Sequence, residues 1–508
     1  MQNVGNLVRI FLSVTVFFVV VTYSAVKYEG SFKKLPIGSD EFGYLNLAQA
    51  ISAGTVFSDH IPRVFKNSLL SHLKTLTTDE LLYQQMLTPH AYHLIGDKVI
   101  NRYPPGTSIM LSLLPKDLRQ VFFPALSILL IVIPILISLF LVLRNYSQTF
   151  FITSVILLTF VELAPWNTEF QRVNSVAPTF GILIAAGILL AKFPLLSLAL
   201  LSSSVVFRVA NLILLPFFLG SFVFKDFSKI KALRVIKSFF VGTFVVLISG
   251  VGFYLLYLYF LLGSPFASSY PTADSEFAPI DKLLRGINFY TGVHRPLFLW
   301  QVGFLAFLGI LSIKIKEARQ WFYFSLILSI FNYAFFISHK VRVSYYPYAS
   351  SLVTLGIFLY YSLSALPKKY FNFLLTVGSL IIVFRTYSKI NYLELDQVRK
   401  ELSRQVAVYH AAFNGIDVAW AEMRSGTIEY AADVPAFRFH WGDASLRRET
   451  IKWLWQNKYS QAFFIDDQRL KPEEVILDLK LLNLPYQEKY VKGLGRILEV
   501  KNSEDYSK

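Results

Sequence analysis

The chain contains no cysteine, which excludes disulfides, thiolate metal sites and a cysteine nucleophile while leaving the compartment open. Charge is scarce too: Asp, Glu, Lys and Arg make up 16% of 508 residues against 54% hydrophobic, and the mean hydropathy is +0.48. That is far too apolar for a soluble domain of ordinary composition. Acidic residues are the scarcer of the charged ones, 33 against 49 Lys and Arg, for a net charge of +16. The basic residues fall largely in short loops between apolar runs and in a polar tail, which is the pattern of membrane topology and not of nucleic-acid binding. The polar tail carries no P-loop or nucleotide fingerprint, and His90 and His93 have no third ligand at zinc spacing. The sequence also shows no inverted internal repeat.

What is present is a succession of apolar runs long enough to cross a bilayer as helices. Spans are expected near 8–27, 121–143, 149–165, 174–191, 194–208, 210–224, 238–262, 297–313, 320–338, 345–365 and 371–386. The first, with only Arg9 as a basic residue at its start and no small-x-small cleavage site, reads as a retained span. With the N-terminus inside, Arg144, Lys192, the group Lys225 to Lys237, Lys314 to Arg319, and Lys368 with Lys369 all fall on the cytoplasmic side. The fold class is therefore mainly α, a polytopic membrane protein of about eleven spans. Two domains are expected: a transmembrane domain over 1–386, whose long outer loop 28–120 carries an acidic pair, and a soluble extracytoplasmic α/β domain over 387–508.

The outer loop is patterned. A short helix over Leu45–Ile51 follows the acidic pair Asp40-Glu41, and an amphipathic helix is expected over Leu69–Leu87. At Asn101-Arg102-Tyr103-Pro104-Pro105-Gly106 the tandem prolines fix φ and hold Arg102 and Tyr103 extended. In the tail, periodicity predicts helices over Leu393–Phe413, Ala444–Trp455 and Pro472–Leu482, strands over Thr427–Ala431 and Gln461–Ile465, and a hairpin around Lys492-Gly493.

Ionisable side chains near membrane depth are costly and need a reason. Asp40, Glu41, Arg102, Glu162, Glu169, Arg172, Arg208, Arg295, His339, Lys340 and Arg342 all fall in outer loops or at outer ends of spans on this topology. Asp40 is the candidate general base, since a carboxylate within hydrogen-bond reach can take the proton of an attacking hydroxyl. The plainer alternative is that Ser39 or Asp40 caps the helix that follows. Adjacent helical residues point about 100° apart, so Asp40 and Glu41 have unequal roles. The arginines suit a phosphate because guanidinium donates in a planar fork and stays charged. Arg208 either binds an anionic lipid head group or snorkels to the interface. His339, Lys340 and Arg342, just before Tyr345-Tyr346-Pro347, run against the positive-inside bias, whereas Tyr345 and Tyr346 alone would be an aromatic belt. Glu169 and Arg172 are spaced for an internal ion pair. A divalent metal on Asp40 and Glu41 is compatible with the sequence but not required by it, and no other cofactor is indicated.

Taken in order, Ser39-Asp40-Glu41 with Tyr44 and Ala48, Tyr103-Pro104-Pro105-Gly106, Phe207-Arg208 with Pro216, Gly263-Ser264-Pro265 with Tyr270, and Arg342 with Tyr345-Tyr346-Pro347 form a pattern over roughly 8–386. It resembles the polytopic GT-C-type glycosyltransferases that use polyprenyl-phosphate sugars, the group containing protein O-mannosyltransferases and the aminoarabinose transferases of lipid A. The resemblance implies a membrane enzyme that transfers a hexosyl or pentosyl group from a polyprenyl-phosphate-linked sugar donor to a glycan, lipid or protein acceptor at the outer face of a bacterial-type inner membrane. Asp40 matches the family's loop carboxylate, and Arg208 with the 339–342 segment would hold the donor phosphate, with Arg102, Tyr103, Arg172 and Tyr345 as further substrate contacts. The family often has Asp or His beside that carboxylate where this chain has Glu41, and the tail matches no named domain. The alternative is a transporter or flippase for a lipid-linked or anionic substrate, which requires charges near mid-membrane in broken helices. A third reading is a catalytically silent scaffold for the tail.

Overall fold

The computed structural model describes residues 39–58, 63–89, 91–95, 98–120, 122–123, 126, 173–224, 232–267, 283–293, 295–338, 348–365, 395–467 and 470–501. The first stretch runs α1 (Ser39–Ser52), β1 (Phe57–Ser58), α2 (Arg63–Leu76), α3 (Glu80–Leu87), β2 (Tyr92–Ile95), β3 (Lys98–Asn101) and α4 (Gly106–Ser112). Its three strands form an antiparallel sheet in the order β1-β3-β2, with Tyr92 opposite Asn101. The single helix expected over Leu69–Leu87 is two, α2 and α3, broken at Thr77-Thr78-Asp79. The Thr77 hydroxyl accepts the Asp79 N–H at 3.1 Å, a local side-chain bond that competes with the helical ladder.

The second stretch is all helical: α5 (Val176–Leu190), α6 (Pro194–Phe207), α7 (Leu215–Val223), α8 (Ala232–Ile248), α9 (Gly250–Leu262), α10 (Leu283–Asn288), α11 (Arg295–Lys314), α12 (Lys316–Ile337) and α13 (Tyr348–Ala365). Among the described residues α12 alone is long and apolar enough to cross a bilayer, and α8 with α9 pass the same test as one span bent by 50°. Shorter apolar helical stretches of 10–17 residues are Pro178–Leu190, Pro194–Phe207, Val209–Val223, Phe298–Lys314 and Ala349–Tyr361. The expected spans 8–27, 149–165 and 371–386, and nearly all of 121–143, lie outside the described residues.

Small residues set how closely these helices pack. A Cβ at Gly187 on α5 would lie 2.4 Å from the Val353 carbonyl of α13, and one at Gly356 would lie 2.2 Å from the Ile184 carbonyl. The two backbones therefore touch, as small residues allow in helix pairs without a hydrophobic drive between them. Where α8 turns into α9, the helical ladder is interrupted, and Ser202 of α6 fills the gap. Its Oγ accepts from the N–H groups of Gly250 at 3.0 Å and Val251 at 2.8 Å, and it donates to the Val246 carbonyl at 2.7 Å. A neighbouring hydroxyl thus satisfies the groups the bend releases. Buried Gln301 of α11 hydrogen-bonds Ser329 of α12 and Ser351 of α13, and Asn332 donates to Ser350 at 3.1 Å. These polar groups are buried but paired, which removes most of their desolvation cost.

The third stretch runs α14 (Leu395–Ala412), β4 (Val418–Ala421), α15 (Ser425–Ala432), β5 (Ala436–Arg438), α16 (Ala444–Gln456), β6 (Gln461–Phe464), α17 (Pro472–Leu481), β7 (Gln487–Val491) and β8 (Gly495–Val500). The sheet order is β5-β4-β6-β8-β7, with β5, β4 and β6 parallel and β8 antiparallel to both of its neighbours, β6 and β7. The expected α/β character and most of the expected elements are there. The strand expected over Thr427–Ala431 is not: those residues lie in helix α15, which closes on Asp433 in the left-handed region at φ 58°. The strand lies upstream, at Val418-Ala419-Trp420-Ala421, all four buried. A parallel strand covered on both faces shows no alternation for the eye to find, whereas one helical face, Ile428 with Ala431 and Ala432, passes for a strand when β-branched residues lead it.

The chain divides into two compact units, one of Met1–Tyr28 with Phe122–Tyr392 and the other of Glu29–Val121 with Leu393–Lys508. The loop that the sequence groups with the spans thus packs with the tail. Arg438, 2% exposed, donates through Nε to the Thr88 carbonyl at 2.8 Å and lies 4.3 Å over the Trp441 ring. His72 stacks on Trp453 at 6.1 Å, and Gly442 admits Met86 into contact.

Candidate active site

The acidic pair stands in the first turn of α1, where the helix dipole favours carboxylates. The Asp40 side chain lies outside the described residues; Glu41 is buried, followed by fully buried Phe42. What fixes this turn in place is the segment after β3. Buried Asn101 donates through Nδ2 to the Gly43 carbonyl at 2.7 Å, and its Oδ1 accepts the Tyr103 N–H at 2.8 Å. One amide therefore ties the acidic helix to the turn that precedes the two prolines. Tyr103 stacks on Tyr44 with ring centroids 5.0 Å apart, and Ser108 of α4 donates to the Tyr44 carbonyl at 3.0 Å. Only glycine fits at 43, since a Cβ there would lie 2.6 Å from the Tyr103 ring. Arg102 is buried, its Nη2 donating to the Tyr103 hydroxyl at 3.2 Å with the guanidinium 5.3 Å from that ring.

In the other unit, α6 ends at Arg208, whose backbone turns extended at φ −152°, ψ 110° before a short 3-10 turn. Its guanidinium donates to the Ser175 hydroxyl at 2.8 Å. Arg208, Thr179 and Asn211 line a small cavity of about 10 Å³ with Val176, Phe180, Leu183 and Leu352. The half-buried guanidinium is thus held by protein hydroxyl chemistry at a break between helices. Arg172, His339, Lys340, Arg342 and Tyr345 lie outside the described residues, as do Glu162 and Glu169. Among the described residues no group of three or more His, Asp or Glu is arranged to hold a metal ion.

No family model matches the sequence, and no curated protein matches it. Solved structures do. ArnT from Cupriavidus metallidurans, an aminoarabinose transferase, in its apo state aligns over 98% of both chains with a TM-score of 0.53 at 12% identity. The chain shares its fold with that structure. The same ArnT bound to undecaprenyl phosphate aligns over 96% of this chain and 97% of that one, TM-score 0.49 and 12% identity. The Archaeoglobus fulgidus oligosaccharyltransferase in its apo form aligns over 90% and 70%, TM-score 0.49 and 10% identity.

Within this fold the tail contributes a polar cluster that motif reading missed. Glu422 follows β4, His440 follows β5 and Asp467 follows β6, so all three collect at the carboxyl end of the parallel strands. His440 bridges two carboxylates, Nδ1 at 3.1 Å from Glu422 and Nε2 at 3.1 Å from Glu474. Burial pushes the Glu422 carboxyl up, against the opposing pull of His440 and Arg438. Glu474 is held below the usual carboxylate range, first by the Lys471 ammonium. Arg447 pairs with buried Asp478 at 2.6 Å over the Phe439 ring. These residues are scattered singly through ordinary-looking sequence, and only the strand order brings them together. Asn101 was visible in the sequence as part of the Asn-Arg-Tyr-Pro-Pro-Gly turn, but its tie to Gly43 was not.

Proposed function

We propose that the chain is an integral membrane glycosyltransferase that moves a sugar from a polyprenyl-phosphate carrier to an acceptor hydroxyl or amine at the outer face of a bacterial-type inner membrane. The observation that carries this reading is the GT-C fold shared with ArnT along almost the whole chain, joined to an acidic pair on a helix start that two independent side chains, Asn101 and Ser108, hold in place. The 28–120 loop and the tail domain are extracytoplasmic in this reading, and the tail holds or covers the acceptor.

In the reaction the acceptor oxygen or nitrogen attacks the anomeric carbon, its proton passes to the Asp40 carboxylate, and the bond from that carbon to the phosphate oxygen breaks. The electron pair leaves with the phosphate. Arginine donors, Arg208 with Arg102, Arg172, Arg342 and their neighbours His339, Lys340 and Tyr345, would stabilise the charge that develops there, where preorganised donors contribute most. Glu41, already buried, contributes to acceptor binding. The carboxylate pair alone would be the ligand set for a divalent cation, and no step depends on one. The 50° break between α8 and α9 is the feature a transporter would use. Its freed N–H groups are taken by Ser202, which favours a static bend.

Replacing Asp40 with Asn and following release of undecaprenyl phosphate from undecaprenyl-phosphate-linked mannose and aminoarabinose tests the assignment. A general base contributes about 10²–10⁴ in rate, so a loss of at least about a hundredfold is expected with normal expression. Turnover like the wild type's would remove Asp40 as the base.

A further inference from the structure

Helix α15 begins where β4 ends, and the turn between them is held by a carboxylate from the turn after the neighbouring strand β6. Asp467, on the turn after β6, accepts the Glu422 and Arg424 N–H groups through the same oxygen, Oδ2, both at 2.8 Å. The residue is 4% exposed and its Oδ1 makes no hydrogen bond. Its hydrogen bonding is thus committed to that turn. One residue into α15, Gly426 meets α1. A Cβ there would lie 2.6 Å from Phe42 Cγ and Cδ1 and 2.8 Å from its Cβ, so the contact is with the root of the side chain and not a flexible tip.

Phe42 directly follows the acidic pair. Gly43, next along, rests on Tyr103. The first turns of α1 are therefore gripped from two sides by chain segments of different origin. The turn 101–103 is near in sequence; α15 arrives from the tail.

We propose that Asp467 is a positioning residue for the acidic pair: through the β4–α15 turn it sets α15, and through the Gly426–Phe42 contact it sets the first turn of α1. What the pair does rests on the glycosyltransferase reading, but its placement does not. The tail is then part of what shapes the site, and not only a cover for it.

Hydrogen–deuterium exchange on the full-length protein in detergent tests this directly. Asp467→Ala strands one buried and one half-buried N–H donor, and exchange over 41–48 rises about tenfold or more, while α16 (Ala444–Gln456) keeps its protection. Asp467→Asn retains a carbonyl oxygen able to accept both bonds and stays within about twofold of wild type. Gly426→Ala drives a methyl against Phe42 and reproduces the Asp467→Ala pattern even if that variant fails to fold. In turnover of undecaprenyl-phosphate mannose or aminoarabinose, kcat falls in the same order with KM for the donor unchanged. Unaltered exchange over 41–48 in Gly426→Ala, a uniform rise across all peptides, or an Asn variant as perturbed as the Ala one would each overturn the proposal. Absence of wild-type turnover with either donor would sink the glycosyltransferase reading and leave the exchange result standing.

Discussion

Replacing Asn101 with alanine isolates the bond that ties the acidic helix to the proline turn. In the wild type the amide is 1% exposed and makes two bonds, to the Gly43 carbonyl at 2.7 Å and from the Tyr103 N–H at 2.8 Å. The two ends are unequal. Gly43 sits within α1, so its carbonyl keeps its helical partner and loses only the net worth of one hydrogen bond, about 1 kcal/mol. The Tyr103 N–H, by contrast, loses the buried acceptor it donates to, at about 1–3 kcal/mol. The sum is about 2–4 kcal/mol, which in a unit of roughly 200 residues shifts the midpoint by about 4–16 °C. Thermal unfolding in detergent, read by an environment-sensitive dye or by loss of helical circular dichroism, measures it. Asn101→Asp separates the ends, since it retains an acceptor for Tyr103 while setting a carboxylate against the Gly43 carbonyl. A midpoint within about 1 °C of wild type for Asn101→Ala would refute the reasoning, because the loss of a buried acceptor cannot be that cheap.

Two further outcomes follow from the same kind of reasoning. Ser202→Ala removes the hydroxyl that serves Gly250, Val251 and the Val246 carbonyl at the helix break, and a loss of about 1–3 kcal/mol is expected in thermal unfolding; an unchanged midpoint would mean that water or the backbone re-satisfies the bend. For Glu422→Gln the pH dependence carries the test. Burial raises the folded-state pKa of Glu422, so its protonated form stabilises the fold below the ordinary glutamate value of about 4.3, and that contribution is lost as pH rises through the raised value. Gln does not titrate, so the stability of the variant relative to wild type grows with pH across this window, as denaturant unfolding at several pH values would show. A constant difference would mean that Glu422 titrates alike in the folded and unfolded chain.

Much of the architecture was legible in the sequence where one residue type or one period settles the matter. Lack of cysteine and the long apolar runs fixed the chemistry excluded and the helical class. The helix α17 announced itself by Pro472 at its first position, and the β7–β8 hairpin by Lys492-Gly493, where the glycine adopts φ 87°. Asp40 and Glu41 stood out because carboxylates beside apolar runs are costly. These are local signals, set by backbone preference and by transfer energy, and they need no knowledge of what lies across the fold.

Tertiary structure decided what depends on partners distant in sequence. Whether Thr427–Ala431 became helix or strand turned on which neighbours buried Ile428 and Ala431. That Asn101 holds Gly43, that Ser202 mends the break at Ser249, and that Asp467 reaches the β4–α15 turn are pairings of ordinary residues with no spacing rule to reveal them. The same holds for the packing of the 28–120 loop with the tail, since two halves of a core separated by hundreds of residues show the same hydrophobic pattern whether or not they meet. Composition and period dictated which elements form; the closing of one unit from both ends of the chain dictated where the acidic pair is held.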